Sequence, residues 1–475
     1  MPIEPSAAPN WISILPPLLA IVLAIWTRQV YLSLAAGIFA GCTILAGWRP
    51  HVGLANTVNE VVNVFADAGN TRVILFTLVI GALIATIEAS GGVNGFVRSL
   101  ERRGLVATPR RAGVMVFLIG VLVFVESNIT ILVGGAVGRP LFDRLKLSRE
   151  RLAYLLDSTS APICMLIPLN AWGALVLGLL AGNGIANPVE VMLASLPLNF
   201  YAIFAICLAG LTAVFQLSFG PMRRADARAR AGETHWPNAQ LMVDPAGLTA
   251  AHTTAIPPRA INMLLPIAAM VVAMPTCLYF TGDGDMRKGS GSTSVLWSVL
   301  IAWATAVGLL LVQRAFSLEQ LTRIALKGAS GLVPLAAILV LALALAVVAK
   351  QLGTGAYIAN ATRGAFPTWI FLPLLFLVSA VVAFSTGTSW GTFALMLPIA
   401  VPAAVTLGLP PAPFIAAALA GGVFGDHASP ISDTTIIASM AAATDHVDHV
   451  RTQLPYALLA AAGAVAAFAV TGALL

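Results

Sequence analysis

Two carboxylates, an imidazole and several hydroxyls interrupt a segment, about residues 414 to 442, that is otherwise apolar. The polar run reads Gly-Asp-His-Ala-Ser-Pro-Ile-Ser-Asp-Thr-Thr and extends from Gly425 to Thr435. A charge at the centre of a bilayer costs on the order of 2.5–3.5 kcal/mol, so a membrane helix carries two acids only with a cavity, a partner or an ion to hold them. The run therefore predicts an ion or substrate site around Asp426 and Asp433.

Three further polar segments interrupt apolar stretches: Asp157 to Pro162, the tip Glu126-Ser127-Asn128, and the tip Thr386-Gly387-Thr388-Ser389. An interrupted helix leaves carbonyls free on one side of the break and amides on the other. Such oxygens, together with hydroxyls, suit Na+. The candidate site-lining residues are Ser127, Asn128, Thr130, Ser158, Thr159, Ser160, Thr386, Thr388, Ser389, His427, Ser429, Ser432, Thr434 and Thr435. For any single hydroxyl, the alternative is a hydrogen bond to a carbonyl of its own helix.

Four carboxylates are candidate cation- and proton-binding groups: Asp426, Asp433, Asp157 and Glu126. Asp426 and Asp433 are seven residues apart across Pro430, a spacing that would place them on one face of an unbroken helix. A proton and Na+ compete for one buried carboxylate, and that competition is sufficient for exchange.

Two of these polar groups have alternative interpretations. Asp157 could cap a helix or form a salt bridge with Arg149 or Arg151. His427 could relay protons, because imidazole titrates near neutral pH, or it could form hydrogen bonds within a polar core. A cluster of acids and histidines from Asp445 to Arg451 resembles a metal site by composition, but its position at a predicted helix end favours a solvated charge network.

The composition is that of a membrane protein. Of 475 residues, 59% are hydrophobic and 10% are charged, against about 25% charged in soluble domains. Apolar stretches of about 20 residues recur along the chain, which predicts an all-α polytopic membrane protein and not a β-barrel. The net charge of +6 comes from basic loops, as the positive-inside rule expects, and does not indicate nucleic-acid binding. No cofactor is predicted.

Loop charges suggest a re-entrant hairpin. Strongly basic loops precede and follow the apolar stretch Ala112–Gly138, and two consecutive cytoplasmic loops cannot flank one full crossing. The stretch is therefore predicted to enter the membrane and return, with its tip at Glu126-Ser127-Asn128. The alternative is one ordinary crossing that departs from the charge rule.

The chain also repeats its pattern of elements. We predict a first repeat at residues 11–217, a cytoplasmic linker at 218–259 and a second repeat at 260–475, with a second hairpin at about 369–401. Each repeat would hold about five crossings and one hairpin. Five is odd, so the repeats would be inverted, with interrupted helices meeting at the midplane and both termini external.

Several motifs resemble those of the NhaC family of sodium/proton antiporters. They are Gly425 to Thr435, Asp445 to Tyr456, Thr386 to Thr392, Arg139 to Tyr154, and Asp157 to Pro162. The resemblance spans essentially the whole chain and implies the fold of the ion-transporter superfamily, with inverted repeats, re-entrant hairpins and often a homodimer. It makes Na+ the expected ion, with Asp157, Asp426, Asp433 and Asn128 as its ligands.

One motif departs from this family. Many members carry an Asp-Asp pair where this chain has Glu126-Ser127-Asn128, which is similar to the tips of sodium–carboxylate symporters of the same superfamily. We therefore expect Na+/H+ antiport across a bacterial inner membrane, and keep open Na+- or H+-coupled transport of a small carboxylate or amino acid. A channel or an enzyme is less consistent with these motifs.

Overall fold

The computed structural model describes residues 10–475 except 28, 102–107, 125, 242–256, 286–288, 355–356 and 358–366, and also leaves the side chains of residues 97–101, 129 and 368 undescribed. Within the described residues the secondary structure is helical, apart from one isolated antiparallel bridge between Leu241 and Asp445. The all-α prediction is confirmed.

The first half of the chain contains thirteen described α-helices. They are α1 (Leu15–Thr27), α2 (Val30–Leu45), α3 (Pro50–Asn63), α4 (Ala68–Ala89), α5 (Gly92–Glu101), α6 (Pro109–Leu122), α7 (Ser127–Arg144), α8 (Arg149–Ser158), α9 (Ala161–Leu166), α10 (Ala171–Gly182), α11 (Pro188–Ser195), α12 (Phe200–Phe215) and α13 (Pro221–Arg230). Short 3₁₀ helices lie at Trp11–Ile14, Val64–Ala66 and Leu196–Leu198.

The second half contains nine described α-helices. They are α14 (Ile261–Thr281), α15 (Gly291–Val312), α16 (Leu318–Gly331), α17 (Val333–Gln351), α18 (Thr368–Thr386), α19 (Ser389–Leu407), α20 (Pro411–Ala428), α21 (Asp433–Ala442) and α22 (His446–Leu474). Across the described residues, seven helices are long and apolar enough to cross a membrane, or up to nine if each of two bent pairs counts as one span.

Both predicted hairpins are pairs of antiparallel helices. In the first, a Cβ placed on Gly138 would lie 2.9 Å from Val116, and one on Gly134 would lie 3.9 Å from Ile119. This order of contacts shows that α7 runs back along α6. The Thr130 hydroxyl closes the tip by donating to the Val123 carbonyl.

In the second hairpin, α18 runs parallel to α20, since Gly421 approaches the Phe376 carbonyl and Gly425 that of Ala380. Helix α19 runs the other way along α20, because Gly422 meets Phe393 while Ser389, one turn earlier, meets Asp426. Helices α18 and α19 are therefore antiparallel.

The first broken helix has two interruptions, where the sequence predicts one. The expected break separates α8 from α9 at Thr159 and Ser160, and a second separates α9 from α10 between Ile167 and Asn170. Asn170 ends this second break by accepting hydrogen bonds at Oδ1 from the amides of Trp172, at 2.9 Å, and Gly173, at 3.2 Å. Such capping fixes where α10 begins.

The two halves repeat one order of elements and pack against each other. In each half two helices precede a short amphipathic helix and a long apolar one, and a hairpin and a broken helix follow. Helix α4 packs against α15 and α16, and its counterpart α17 packs against α2 and α3. The predicted repeats, with their bounds and their inverted arrangement, stay predictions.

The segment predicted as a polar linker begins with α13, which is fastened to α8. Arg151 and Asp226 form a buried ion pair, and Arg228 pairs with Glu150 at 2.8 Å through two parallel hydrogen bonds. Further on, the backbone amide of Gln240 donates a 2.6 Å hydrogen bond to the Asp445 carboxylate. The described part of this segment therefore contacts the helices that carry the polar residues.

Candidate functional site

Asp426 lies where the second hairpin meets the second broken helix, which consists of α20 and α21 with the break between them. Its Oδ2 accepts hydrogen bonds from the amide and the hydroxyl of Ser389, at 3.2 and 2.6 Å. Its Oδ1 accepts from the Ser432 hydroxyl at 2.6 Å, and Ser432 Oγ lies 3.0 Å from Thr434 Oγ1. Ser389 is the first residue of α19, so a helix N-terminus, with its free amides, faces this buried carboxylate.

Gly387 permits this close arrangement at the hairpin tip. Its φ is +68°, in the left-handed region, and a Cβ there would lie 2.6 Å from the Ile431 carbonyl oxygen in the break between α20 and α21. A residue with a side chain would be strained at this φ and would push the tip away from the break. The glycine therefore lets the hairpin reach Asp426.

Asp157 lies at the end of α8 and receives its partners from the other half of the chain. Its Oδ2 accepts hydrogen bonds from Thr435 Oγ1, at 3.1 Å, and Gln453 Nε2, at 2.7 Å. Its Oδ1 is buried and has no hydrogen-bond partner among the described residues. Arg149 and Arg151 pair instead with Asp143 and Asp226, so the salt-bridge interpretation of Asp157 is wrong.

His427 follows Asp426 directly but points to the first half of the chain. Its Nδ1 lies 2.6 Å from the Tyr201 hydroxyl and its Nε2 lies 3.1 Å from the Ser158 hydroxyl. The ring is fully enclosed, so His427 has the hydrogen-bonded environment of a polar core. The consecutive residues Asp157 and Ser158 thus meet α20, α21 and α22.

The remaining two carboxylates have different surroundings. Asp433, the first residue of α21, is exposed and accepts a 2.9 Å hydrogen bond from the Thr434 amide. The helix break separates it from Asp426, so the seven-residue spacing does not bring the two onto one helical face. Glu126 is partly buried at the first hairpin tip and accepts from the Ser127 hydroxyl at 3.3 Å.

Asn128 and Asn170 belong to the region of the first hairpin. Asn128 Oδ1 is buried without a hydrogen-bond partner among the described residues. Asn170 Nδ2 donates to the Phe124 carbonyl at the tip, at 3.2 Å, and to carbonyls of Cys164 and Ile167 in the broken helix. One amide side chain thus ties the first tip to the second break of the neighbouring helix.

Several predicted site-lining hydroxyls bond to nearby carbonyls. Thr159 donates to Leu155, Ser160 to Asp157 and Thr386 to Val382, at 2.7–2.9 Å. Such bonds are the ordinary state of a hydroxyl in a helix. Ser429 donates across to the Phe384 carbonyl of α18 at 2.7 Å, so it fastens the second break to the second hairpin.

Gln453, Tyr201 and Asn170 are not predicted from the sequence, and His449 is predicted to lie in a solvated network. His449 is fully buried and bonds Gln453 and Ser439, each at 2.9 Å. The signal for Asn170 was its position two residues after Pro168. Gln453 and Tyr201 carry no comparable local signal for these contacts, because Asp157 lies more than 200 residues from Gln453 and His427 more than 200 residues from Tyr201.

The predicted cation-binding side chains offer oxygen atoms as ligands. No group of three or more His, Cys, Asp or Glu side chains with metal-binding geometry occurs among the described residues. Carboxylate, amide and hydroxyl oxygens remain, and these hard ligands suit Na+ and protons better than transition metals.

Broken helices and hairpin tips from both halves meet at polar, buried side chains inside an apolar helical protein. This arrangement defines a secondary transporter. Consistent with that class, a model of the Na+/H+ antiporter family matches residues 163–473. An uncharacterized protein of Haemophilus influenzae is 34% identical over 97% of this chain and 90% of its own length. The chain therefore belongs to the Na+/H+ antiporter family, which confirms the resemblance of its motifs to NhaC proteins.

Two other proteins are similar to this chain in more limited ways. The arginine/ornithine antiporter ArcD of Halobacterium salinarum is 40% identical over 22% of this chain and 21% of its own length. The YdaH transporter of Alcanivorax borkumensis superimposes with a TM-score of 0.57 at 15% identity, covering 95% of this chain and 98% of that one. At this identity, the second likeness concerns the fold alone.

Proposed function

We propose that this protein exchanges Na+ for H+ across a bacterial inner membrane by alternating access. The observation that carries the proposal is the state of the Asp157 carboxylate, in which two donors occupy Oδ2 while Oδ1 is buried without a partner among the described residues. A buried charge without a partner is costly. A proton or a cation at Oδ1 removes that cost, and the two compete for the same oxygen.

We assign the Na+ ligands to Asp157, Asn128, Asp426 and Asp433. Asn128 supports this assignment because its Oδ1 is a second buried oxygen without a described partner and because α7 packs against both α8 and α21. Asp426 already accepts three hydrogen bonds, so it binds an ion only if Ser389 or Ser432 moves. Asp433 is exposed and would attract the cation before it reaches the buried acids.

The two hairpins would close the site from opposite sides. The second tip reaches Asp426 through Ser389, and the first is held by Asn170 at the Phe124 carbonyl. Movement of one tip away from its broken helix would open the site on one side, while the other tip keeps it closed. Alternating access requires such reciprocal gating.

Sodium-dependent proton movement in everted vesicles tests this proposal. Addition of Na+ to vesicles with an acid interior should raise the internal pH when the wild-type protein is present and no organic solute is added. Asp157→Asn should remove the signal at equal protein levels, while the surface variant Asp283→Asn keeps it. Absence of a wild-type signal under these conditions would overturn Na+/H+ exchange.

The second candidate is Na+- or H+-coupled transport of a small carboxylate or amino acid. The Glu126-Ser127-Asn128 tip favours it, and so does the similarity of one segment to ArcD, an arginine/ornithine antiporter. If Na+ alone moves no protons, the same vesicles should respond when an amino acid or a dicarboxylate is added. A response that requires the solute would establish this second function.

A further inference from the structure

We propose that His446 and His449, joined through Ser439, form a proton-binding site that exchanges its proton with solution where α22 begins. Gln453 connects this histidine pair to Asp157. The inference rests on the exchange proposed above, because the pair would hold a further proton beside the one that competes with Na+ at Asp157. It concerns three side chains of α21 and α22 outside the predicted cation site.

Both ring Nε2 atoms of the pair face oxygens that can only accept hydrogen bonds. His446 Nε2 lies 2.6 Å from the Pro430 carbonyl oxygen, and His449 Nε2 lies 2.9 Å from Gln453 Oε1. A peptide carbonyl and an amide oxygen carry no hydrogen. Each Nε2 therefore carries one.

The orientation of the Gln453 amide follows from its other contacts. Its Nε2 donates to Asp157 Oδ2 at 2.7 Å and to the His427 carbonyl at 2.6 Å. Both partners are acceptors, so the amide nitrogen has to face them and the amide oxygen has to face His449. The hydrogen on His449 Nε2 is thus required by the neighbouring contacts.

If both rings are neutral, the one hydroxyl hydrogen between them cannot form hydrogen bonds to both Nδ1 atoms. Ser439 Oγ lies 2.9 Å from Nδ1 of His446 and 2.9 Å from Nδ1 of His449. A neutral ring with a hydrogen on Nε2 has a lone pair at Nδ1, and the serine has one hydrogen for two such atoms. The Thr435 carbonyl, 2.8 Å away, competes for the same hydrogen. One further proton resolves the conflict, because an imidazolium donates from both nitrogens.

The extra proton belongs on His446. His449 is fully buried, whereas His446 is half-buried, and a charge costs less where water can reach it. Each group then donates a hydrogen bond to the next, in the order His446, Ser439, His449, Gln453 and Asp157. When an N–H bond of His446 breaks and its proton passes to water, one of these hydrogen bonds is lost.

Charged and titratable groups surround the pair on several helices. Asp157 on α8 and His427 on α20 face it from the interior, Asp445 and Asp448 lie in the first turn of α22, and Arg149, paired with Asp143, reaches the end of α21. Asp157 is the buried acid of this set that contacts Gln453. A cation at Asp157 would repel an imidazolium at the pair, so Na+ binding would expel the proton.

Na+ titrations of the purified full-length protein in detergent test this coupling. Between about pH 5 and pH 8, where imidazole titrates, the wild-type Kd for Na+ should fall about tenfold per pH unit wherever one proton leaves per ion bound. His446→Gln and His449→Gln should bind Na+ with a pH dependence that lacks the contribution of the pair's proton, while competition at Asp157 remains. His51→Gln, a control on the exposed face of α3, should keep the wild-type slope. Wild-type slopes in both pair variants would overturn the proposal.

Nitrogen NMR of the histidine rings separates this proposal from the exchange itself. The chain has six histidines, so single substitutions can assign their signals without added Na+. His446 should be the ring that carries the pair's extra proton as an imidazolium, and Ser439→Ala should change that state. A neutral His446 throughout the range would overturn the site even if Na+ binds. An imidazolium at His446 in a protein that binds no Na+ would support the site and contradict the proposed exchange.

Discussion

The side-chain amide of Gln453, on the last helix, donates a 2.7 Å hydrogen bond to Asp157 of α8. The same nitrogen donates to the carbonyl of His427, at the end of α20. One amide therefore joins the two broken helices at the boundary between the halves of the chain. Its removal would leave a buried acid with Thr435 as its one described donor.

Gln453→Leu should weaken Na+ binding, because it removes a donor that orients the Asp157 carboxylate. Loss of such a supporting contact typically costs about 10–100-fold in metal affinity. Thermal stabilisation by Na+ in detergent would measure the change. Gln351→Leu, which alters an exposed glutamine, should leave affinity as in the wild type, and an unchanged affinity in Gln453→Leu would contradict the assignment.

Asp426→Asn should abolish Na+-dependent proton movement while the protein still inserts into the membrane. The asparagine can preserve the shape of the contacts with Ser389 and Ser432 but cannot carry the charge. Everted vesicles with equal amounts of protein, checked by immunoblot, provide the measurement. If Asp426→Asn exchanges Na+ and H+ as the wild type does, Asp426 is not part of the site.

Gly387→Ala should destabilise the protein more than Gly408→Ala. Both glycines end helices with left-handed φ values, +68° and +70°, so both substitutions incur the steric cost of about 1–2 kcal/mol. A Cβ at Gly387 also lies 2.6 Å from the Ile431 carbonyl, whereas one at Gly408 meets nothing within 4 Å. Apparent unfolding temperatures in detergent should differ accordingly, and equal values would show that the tip can move away from the break.

Arg151→Met should strongly destabilise the protein, because Asp226 would be left buried without its charge partner. Breaking a buried pair in this way typically costs about 3–5 kcal/mol. The double variant Arg151→Met with Asp226→Leu should recover part of the loss, since no unpaired charge remains. Arg323→Met serves as the control, because its ion pair with Glu319 is exposed and such pairs contribute little. If Arg151→Met is as stable as Arg323→Met, the ion pair between Arg151 and Asp226 does not hold α13 against α8.

The positions of the broken elements were predictable because proline, glycine and clustered polar residues disrupt a helix locally. The hairpin tips near Asn128 and Thr388 and the breaks near Ser160 and Pro430 all lie within a few residues of their predicted places. The second break before Asn170 was missed, although Pro168 was a local signal for it. Exposure of Asp433 could not be predicted, because a break separates α21 from α20 and the local sequence does not determine how α21 is oriented.

The sequence by itself determined that this is a helical membrane protein of the NhaC type with polar interruptions in apolar helices. Those properties depend on hydropathy and on residues close together in the chain. The tertiary structure alone decided that Asp157 meets Thr435 and Gln453, that Ser158 and Tyr201 meet His427, and that His449 is buried. These contacts join residues of different helices, and the packing of the helices, not the local pattern, brings them together.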